Sequence, residues 1–583
     1  MTANATANME NISLALKNYN TIVYYIKNHA VSYSDRKALV FLDRGETPSD
    51  EATFASLDDD ASRIANSLIS LELRGKTALL AIPPGLDFTR VFLGCLYAGT
   101  IPVPVPYVIK GKGMNRITAI AQDAKAAVVI TSQAGAEDKC LIESTCNANG
   151  FPMLITSTDL IESMPSRINW EPSPDDIAFI QYTSGATNNP KGVVITHRNI
   201  LANQFMIKES FAHSDSCVGV NWLPHHHDMG LIGCILQPLF LGGRSILMSP
   251  LAFLQKPAKW LNAISKYQAT TAGAPNFAYD LCVRQIQDNH LNGIDLSSWQ
   301  VAFCGSEPVR ISTLNAFAER FSNNGFSYNA LYPCYGLAEA TLLVTGVKAG
   351  GGIHYRKFPR FKEHSVMGDL TKRTVISCGK PAAGTKLAII DQNNGERVKP
   401  GHIGEICVSG HHVSPGFWCS STNEALVNLD RLLHLDGDTY LRSGDLGIIE
   451  DGELYVVGRI KDMIIIRGQN IYAEDIEDSI ISVTSGINLI AMASFGIDLE
   501  NEEALVVVIE LDRASFLNEN IHHLKDLICK EISHEHGVLP REVVFCPPSA
   551  IPRSSSGKIQ RGKTKGLYLE GKLTRWNLPA ESC

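Results

Sequence analysis

Short apolar runs alternate with amphipathic stretches along most of the chain. Runs of five to seven mainly apolar residues, bounded by turn residues, predict buried strands. These runs are Thr77–Ile82, Ala126–Thr131, Ile177–Thr183, Val301–Gly305 and Lys386–Asp391. Apolar residues at helical spacing predict helices at Phe88–Tyr97, His197–Ser210 and Ser312–Phe321. The alternation predicts an α/β fold in which helices cover the sheets.

The pattern changes near residue 460. A strand at Glu453–Val457 is followed by the short polar link 458–462. After it we predict a strand at Met463–Arg467, a helix from about Ala473, a strand at Ala504–Leu511, a helix over about 519–534 and a strand at Glu542–Phe545. The chain therefore divides into a large N-terminal domain, residues 1–460, and a smaller mobile α+β domain, residues 461–583, which we call the cap.

The composition is that of a globular chain. Of 583 residues, 45% are hydrophobic and 19% are charged, which favours large packed cores over disorder. A net charge of −8 argues against a nucleic-acid partner. The chain has no apolar run of 18 residues and its start lacks the layout of a secretory signal, so we expect no transmembrane segment. The fourteen cysteines include no Cys-x-x-Cys pair, which favours reduced thiols and a cytoplasmic location.

Residues 182–192 form a hydroxyl-rich loop between two predicted strands. The loop offers three hydroxyls, a glycine for close backbone approach and a positive charge: Thr183, Ser184, Thr187, Gly185 and Lys191. Hydroxyls and backbone N–H groups can donate to a phosphate chain while the lysine neutralises it. The order Pro-Lys-Gly before a strand differs from a Walker loop, in which Gly-Lys-Ser/Thr opens a helix. Taken alone, such a cluster is more often a polar turn.

Three further segments carry candidate chemistry. Glu339 is a hard oxygen ligand of the kind that Mg²⁺ takes, or else a favourable partner for a helix dipole. Asp445, in a Ser-Gly-Asp run, can accept hydrogen bonds from both hydroxyls of a ribose, or can simply close a turn. Lys558 lies in a Ser/Gly loop of the cap, where it is either solvated or delivered into a closed site.

Three consecutive histidines occupy positions 225–227. Adjacent side chains diverge, whereas zinc ligands normally come from spaced positions, so a structural or substrate-lining role is favoured over a metal site. The chain also lacks Gly-x-Ser-x-Gly and Gly-x-Gly-x-x-Gly, so neither a hydrolase nucleophile elbow nor a dinucleotide fold is supported.

Five motifs in a fixed order resemble those of the adenylate-forming superfamily, which contains acyl-CoA synthetases, luciferases and peptide-synthetase adenylation domains. The motifs are YTSGATNNPKG, YGLAEAT, YLRSGDLG, GRIKDMIIIRG and SSGKIQR, and they span residues 182–561. Each is weak alone, but five in order are specific. Within the superfamily the chain looks most like the fatty acyl-AMP ligases, because of WLPHHHDMGLIG (222–233), PCYGLAEATLLVTG (333–346) and a long interval between Glu339 and Gly379.

The resemblance implies roles for particular residues. The loop Thr183–Lys191 would hold the triphosphate of ATP, Glu339 would bind Mg²⁺, and Asp445 with Arg459 would bind the ribose. Lys461 would be the hinge, and Lys558 would bridge the fatty-acid carboxylate and the α-phosphate. The adenine would be lined by Gly305, Ser306, Glu307 and Tyr335, and Gly336 and Ala338 would also contact the nucleotide. The acyl substrate would contact Trp222, His227, Asp228, Met229 and Ile232. We thus predict Lys558, Glu339 and Thr183 as the catalytic residues.

The long interval after Glu339 contains an extra polar and basic piece, roughly residues 352–375. Acyl-CoA-forming relatives bridge this interval with a shorter segment. The resemblance implies that the insertion restrains the cap and disfavours transfer to CoA, and the alternative is an ordinary surface loop. The phosphate loop departs from the usual pattern at Ala186, which offers no hydroxyl, and at Asn188, although Asn tolerates a left-handed backbone.

The implied reaction is attack of a fatty acid on ATP, which gives acyl-AMP and pyrophosphate, followed by transfer to a separate acyl carrier protein. The nearest alternative is an acyl-CoA synthetase. A non-catalytic nucleotide- or lipid-binding protein is an alternative from another class, but a binder does not need Glu339, Asp445 and Lys558 together. A luciferase-like oxygenase is more distant.

Overall fold

The computed structural model describes residues 21–107, 113–132, 154–162, 170–183, 191–359, 372–392, 394–419, 421–422, 424–426, 431–466, 469–484, 487–499, 502–554 and 557–576. Its α-helices are Ile22–Ser32, Phe54–Ser70, Leu86–Ala98, Gly113–Asp123, Ser157–Ile161, His197–Ser210, Gln237–Leu241, Pro250–Gln255, Ala258–Tyr267, Asn276–Gln285, Ile311–Phe321, Ala473–Val483, Arg513–Asn518, Ile521–His536 and Arg561–Leu569. A π-helix spans Met229–Leu236. None of these helices has the length and apolar character needed to span a bilayer.

A nine-stranded sheet forms the centre of the large domain. Its strands, in spatial order, are Lys380–Pro381, Leu343–Gly346, Leu331–Gly336, Val301–Cys304, Thr271–Ala274, Val218–Asn221, Arg244–Met248, Lys37–Asp43 and Thr47–Thr53. The six strands from Leu331–Gly336 to Lys37–Asp43 pair in parallel, and the remaining pairs are antiparallel. Helices cover this sheet, so the predicted α/β class is confirmed.

In the described residues, three smaller sheets and a two-stranded hairpin complete the large domain. A parallel sheet contains Ile101–Pro104, Thr77–Leu80, Val128–Thr131 and Leu154–Thr156. An antiparallel sheet contains Glu424–Leu426, Gly416–Cys419, Gly192–Thr196 and Ile177–Tyr182. The third, also antiparallel, contains Lys386–Ile390, Gly404–Ser409, Asp438–Glu450, Leu432–Leu435 and Glu453–Arg459. The predicted strands in these sheets are confirmed to within two residues at each end.

The cap has its own small sheets. A hairpin pairs Met463–Ile466 with Gln469–Tyr472, and a three-stranded sheet has the order Leu489–Leu499, Glu502–Leu511, Glu542–Cys546. Buried side chains of the cap form a hydrophobic cluster that includes Ile476, Leu505 and Ile528. The predicted cap strands and helices are present, whereas the division at residue 460 stays a prediction.

The ends of the predicted insertion form a hairpin. Tyr355–Pro359 pairs with Lys372–Ile376, while residues 360–371 lie outside the described residues. Phe358 packs against Tyr455, with ring centroids 5.1 Å apart, and Arg356 pairs with Glu450 at 3.0 Å and with Asp451. The hydrophobic cluster under the hairpin also includes Ile460 and Met463, at the junction with the cap.

Candidate active site

A cavity of about 1950 Å³ lies between the large domain and the cap, and both contribute to its wall. The predicted site residues that line it are Thr183, His227, Asp228, Met229, Gly305, Ser306, Glu307, Tyr335, Gly336, Ala338, Glu339, Asp445, Arg459, Lys461 and Lys558. All five motifs of the sequence thus contribute to one space, which is the arrangement expected of an active site.

Asp445 is the centre of a buried polar cluster in this wall. Its Oδ2 accepts a hydrogen bond from the Tyr335 hydroxyl at 2.8 Å, and its Oδ1 lies 3.0 Å from Nε of Arg459. Burial raises the pKa of Tyr335, and the Asp445 carboxylate raises it further, so the phenol stays protonated and donates. A carboxylate offers about four lone-pair positions, so Asp445 can still accept from two ribose hydroxyls.

The loop that carries Asp445 is held by a buried carboxylate, Glu405. Gly444 has φ +78, a left-handed conformation that glycine adopts without strain. Glu405, in the neighbouring strand, accepts from the Gly444 N–H at 3.1 Å and pairs with Arg442 at 2.6 Å. These contacts hold the turn in one shape before any ligand binds.

The segment Gly305–Glu307 leaves its strand with an unusual backbone. Ser306 has φ +74, which costs a non-glycine residue energy and is often found at functional sites. Oε1 of Glu307 accepts from the backbone N–H of Phe277 at 2.6 Å, and burial raises the pKa of this carboxyl. A Cβ added at Gly305 would lie 2.9 Å from the Cys334 carbonyl oxygen, so the position favours glycine.

One carboxylate oxygen of Glu339 pairs with an arginine. Its Oε1 lies 2.7 Å from Nη1 of Arg431, and its side chain is 20% exposed towards the cavity. One carboxylate that shares a metal with phosphate oxygens is the usual setting of Mg²⁺, and Glu339 fits that role. Within the described part of the chain, no group of three or more His, Cys, Asp or Glu side chains is placed to cage a metal by itself.

The predicted phosphate loop is described only at its two ends. Thr183 lines the cavity, and its N–H bonds the carbonyl of Lys191 at 3.3 Å. Lys191 is exposed and lies over the ring of Phe417, with Nζ 5.6 Å from the centroid. Ser184, Gly185, Ala186, Thr187 and Asn188 lie outside the described residues, so their roles stay predictions.

Lys558 extends from the cap into the same cavity. Burial lowers the pKa of its ammonium group; Asp228, Glu307 and Asp445 oppose this shift, and Arg459 adds to it. Among the described residues Lys558 has no ion-pair partner within 4.0 Å, so its charge faces the cavity. A half-buried cation without a direct ion-pair partner is well placed to attract an anionic ligand.

The loop around Lys558 is fixed on both sides. Gly557 has φ +86, and a Cβ there would lie 2.6 Å from the ring of Phe277 in the large domain. Arg561 pairs with Glu477 at 2.9 Å and with Glu474 at 3.1 Å, which ties the loop to the helix Ala473–Val483. The position of Lys558 therefore depends on contacts within the cap and across the domain boundary.

The three histidines have different surroundings. His225 stacks on Phe88 with ring centroids 3.9 Å apart, and burial lowers its pKa to about 4. Nδ1 of His227 lies 2.6 Å from Oδ1 of Asp228. Burial alone would raise the pKa of Asp228, but His227, Lys558 and the Met229 N–H together lower it to about 2. Asp228 therefore presents a fixed negative charge to the cavity.

One end of the cavity is apolar. Its wall there includes Ile207, Phe211, Met229, Gly233, Phe303 and Leu342. Phe211 packs against Tyr332 and Phe303, with centroids 4.5 and 5.8 Å away, so an aromatic cluster supports this part of the wall. A π-helix is rare and often occurs at functional sites, and here it exposes Met229 and Gly233 to the cavity.

Trp222 and Ile232 lie in the core, behind this wall. Trp222 is 2% exposed and stacks on Phe253, with centroids 4.0 Å apart, and Ile232 is fully buried. In the described structure the neighbouring positions Met229 and Gly233 line the cavity instead. Contact of Trp222 and Ile232 with an acyl tail therefore stays a prediction.

Sequence reasoning missed three charged side chains that shape the site. Glu405 is a lone carboxylate in an otherwise apolar strand, which could have indicated a buried partner. Arg442 lies inside the recognised YLRSGDLG motif but received no role. Arg431 lies between motifs and contacts Glu339, 92 positions away in the chain, so no local pattern indicates it.

Comparisons with known proteins agree with this geometry. A model of the AMP-binding enzyme family matches residues 26–418, and a model of the Disco-interacting protein 2-like AMP domain matches residues 461–577. A medium-chain-fatty-acid–[acyl-carrier-protein] ligase, JamA of Moorena producens, is 35% identical, with 96% of each chain covered. The putative fatty-acid–CoA ligase FadD21 of Mycobacterium tuberculosis is also 35% identical, over 86% of this chain and 89% of its own.

Solved structures show the same likeness. A fatty acyl-adenylate ligase from L. pneumophila, in complex with acyl adenylate and pyrophosphate, matches with a TM-score of 0.69 and 35% identity. The match covers 94% of this chain and 96% of that one. With the cavity, the motifs and these relatives taken together, the chain belongs to the AMP-binding enzyme family of adenylate-forming ligases, within its fatty acyl-AMP ligase group.

Proposed function

We propose that this enzyme activates a fatty acid with ATP, releases pyrophosphate, and passes the acyl group from acyl-AMP to a separate acyl carrier protein. The observation that carries the proposal is the shared cavity. Lys558, Glu339 and Asp445 face one space whose far end is apolar. A polar end suited to a nucleotide and an apolar end suited to an alkyl chain are what an acyl-adenylate requires.

The fatty-acid carboxylate attacks the α-phosphorus of ATP. A bond forms between a carboxylate oxygen and phosphorus, and the bond from phosphorus to the pyrophosphate oxygen breaks. The carboxylate is already a nucleophile, so the protein has to bring two anions together and spread the charge that develops. Lys558 neutralises both groups, and Asp445 with Tyr335 fixes the ribose so that the α-phosphorus faces the acid.

Glu339 is the proposed ligand of Mg²⁺, with Thr183 and the loop after it holding the phosphates. A bound Mg²⁺ supplies charge neutralisation of the phosphate oxygens. Lys191, at the end of the loop, adds a cation next to the same chain of phosphates. The hinge role of Lys461 is part of the proposal and rests on its place in the link between the two domains.

The apolar end of the cavity is the proposed acyl site. Burying each methylene of the tail contributes about 0.8 kcal/mol, so a saturated chain is favoured there over a polar acid. Phe211 and Phe303, which pack on each other, line this site. A chain of moderate length is proposed from the name of the JamA relative, a medium-chain-fatty-acid ligase.

Transfer to a carrier protein rather than to CoA rests on the insertion and the relatives. The hairpin Tyr355–Pro359 and Lys372–Ile376 packs beside the junction with the cap, where it can restrict cap rotation. Acyl-CoA synthesis is the second candidate, because one relative carries the name of a putative CoA ligase. A cytoplasmic location is also proposed, since every cysteine in the described residues is a free thiol.

Pyrophosphate release across saturated acids of two to eighteen carbons tests the adenylation step. We expect release that depends on the acid and peaks at intermediate length. The absence of release with every acid would contradict adenylation and favour a nucleotide- or lipid-binding protein.

A further inference from the structure

Arg431 connects two motifs that are far apart in the chain. Its Nη1 lies 2.7 Å from Oε1 of Glu339. The same guanidinium donates to the carbonyl of Arg442, at 3.1 Å from Nε and 3.0 Å from Nη2, and to the carbonyl of Ser443 at 3.2 Å. One side chain thus contacts both the proposed metal carboxylate and the loop that carries Asp445.

We propose that Arg431 is a positioning residue that sets how strongly Mg²⁺ promotes ATP binding, by holding Glu339 through one oxygen and leaving the other for the metal. In the described structure no donor contacts Oε2 of Glu339, while Oε1 is engaged. This inference rests on the proposed function, since it assumes that Glu339 serves a nucleotide-bound metal.

The geometry favours positioning over simple charge pairing. A guanidinium is a rigid planar fork, so contacts with two carbonyls fix its plane and therefore the oxygen that it offers to Glu339. A carboxylate that is already held loses less conformational freedom when a metal binds. The arginine attracts the nucleotide with or without Mg²⁺, because both forms carry net negative charge.

A shared aromatic ring extends this connection to the phosphate loop. Arg431 lies over Phe417, 5.8 Å from its centroid, and Lys191 lies over the same ring at 5.6 Å. Cations near an aromatic face are attracted by its quadrupole. Arg431 therefore contacts the metal carboxylate and the ribose loop directly, and it shares one aromatic ring with the phosphate-loop lysine.

The test measures ATP affinity by isothermal titration calorimetry without fatty acid, once in EDTA and once in saturating Mg²⁺. The ratio of the two dissociation constants gives the effect of the metal. We expect Arg431→Gln to reduce this ratio about tenfold, the factor for one lost charge-assisted hydrogen bond. Arg431→Lys, which keeps the charge but not the fork, should give an intermediate ratio.

A double-mutant cycle separates positioning from general destabilisation. Glu339→Gln should bring the ratio close to one, and adding Arg431→Gln to it should change the ratio no further. Arg442→Gln is the matched control, because the Arg442 side chain supports the ribose loop through Glu405 without contact to Glu339. It should weaken ATP binding equally with and without Mg²⁺.

Three results would overturn the inference: an unchanged ratio in Arg431→Gln, an additive effect in the double variant, or wild-type binding that does not respond to Mg²⁺. Thermal unfolding of each variant verifies that it is folded. Acyl-AMP formation by the wild type is measured in parallel. If the wild type binds ATP in a metal-dependent way but forms no acyl-AMP, the proposed function is contradicted. If the wild type forms acyl-AMP normally and the ratio of dissociation constants is unchanged in Arg431→Gln, only the role of Arg431 is contradicted.

Discussion

At the scale of single residues, the surroundings of Lys558 determine what it can do. Burial and Arg459 lower the pKa of its ammonium group, and Asp228, Glu307 and Asp445 oppose that shift. The acidic neighbours therefore limit the fall of this pKa in a partly dry site. Its charge is then available to the two anions that must meet during adenylation.

Replacing Lys558 with alanine should lower the rate of acyl-AMP formation by about a hundredfold or more, the typical effect of losing one electrostatic contact to a transition state. Thermal unfolding should change little, because Lys558 forms no ion pair with a described residue. Near-normal adenylation by this variant would exclude the proposed role.

The pH dependence of adenylation should report the same group. Lys558 must be protonated to act, and its folded-state pKa is lowered, so activity should fall as pH rises, at a pH below the usual lysine range. Asp228→Asn removes a charge that raises this pKa. The alkaline limb, which is the loss of activity at high pH, should therefore move to lower pH. In Lys558→Arg the residual activity should lack the limb, because arginine stays protonated. If the wild type, Asp228→Asn and Lys558→Arg all lose activity at the same pH, the titrating group is not Lys558.

Gly233 should control the entry of long acyl tails. A Cβ at this position would lie 3.1 Å from Cδ2 of Leu342, across the apolar end of the cavity. Gly233→Val should therefore lower kcat/KM for acids of about eight to twelve carbons at least tenfold, and much less for acids of two to four carbons. Adding Leu342→Ala should restore part of the loss. Equal losses for short and long acids would show that the valine disturbs the site generally.

At the scale of elements, local signals made some structure predictable and tertiary contacts decided the rest. The helix His197–Ser210 was predicted from apolar spacing, and its start agrees with a capping box between Thr196 and Asn199, with bonds of 3.0 and 3.1 Å. The strand Leu489–Leu499 was missed because Ala491, Ala493, Ser494 and Gly496 have weak strand preference, and it is defined by pairing with Glu502–Leu511.

The candidate site also contains residues that local motifs identify and residues that only tertiary contacts bring to the site. The residues Glu339, Asp445 and Lys558 lie in recognisable motifs, so the sequence alone was enough to predict that they belong to one site. The supporting residues Glu405 and Arg431 depend on side chains that meet only in the folded chain, and no spacing along the sequence encodes those contacts.

The insertion hairpin should determine whether CoA can accept the acyl group. Phe358 packs on Tyr455, and Arg356 pairs with Glu450 and Asp451, beside the junction with the cap. The double variant Arg356→Ala, Phe358→Ala should loosen the hairpin, and acyl-CoA should then form from ATP, fatty acid and CoA. Deletion of about 352–375 should have a larger effect of the same kind. Tyr355→Ala, at a position that is 53% exposed on the same hairpin, is the control and should leave the product unchanged. If neither variant forms acyl-CoA, the insertion does not restrain the cap.

At the scale of the whole molecule, the contact between the two domains places Lys558 in the cavity. Nε of Arg310 lies 3.0 Å from Oδ1 of Asp478, and its Nη2 lies 3.6 Å from Oε2 of Glu477, which also binds Arg561. Arg284 adds a hydrogen bond to Asn488 at 3.0 Å. Polar contacts of this kind can break and re-form as the two domains move. Such movement suits a cap that must later admit a carrier protein.

Arg310→Asp should weaken this closed arrangement and lower acyl-AMP formation roughly three- to tenfold, since the pair is part-exposed and screened by solvent. The charge swap Arg310→Asp, Asp478→Arg should recover part of the activity. In the wild type, the rate of acyl-AMP formation should also fall as the salt concentration rises, because salt screens the pair. Failure of the swap to recover activity, together with salt-independent rates, would show that the pair does not hold the cap.

The central claim is that the enzyme makes acyl-AMP for a carrier protein. The most direct measurement is one reaction that contains ATP, a fatty acid of intermediate length, and equal concentrations of CoA and of an acyl carrier protein bearing its phosphopantetheine arm, with both thioesters quantified by mass spectrometry. We expect acyl-AMP, acyl carrier thioester and little acyl-CoA. Predominant acyl-CoA, or no acyl-AMP at all, would contradict it.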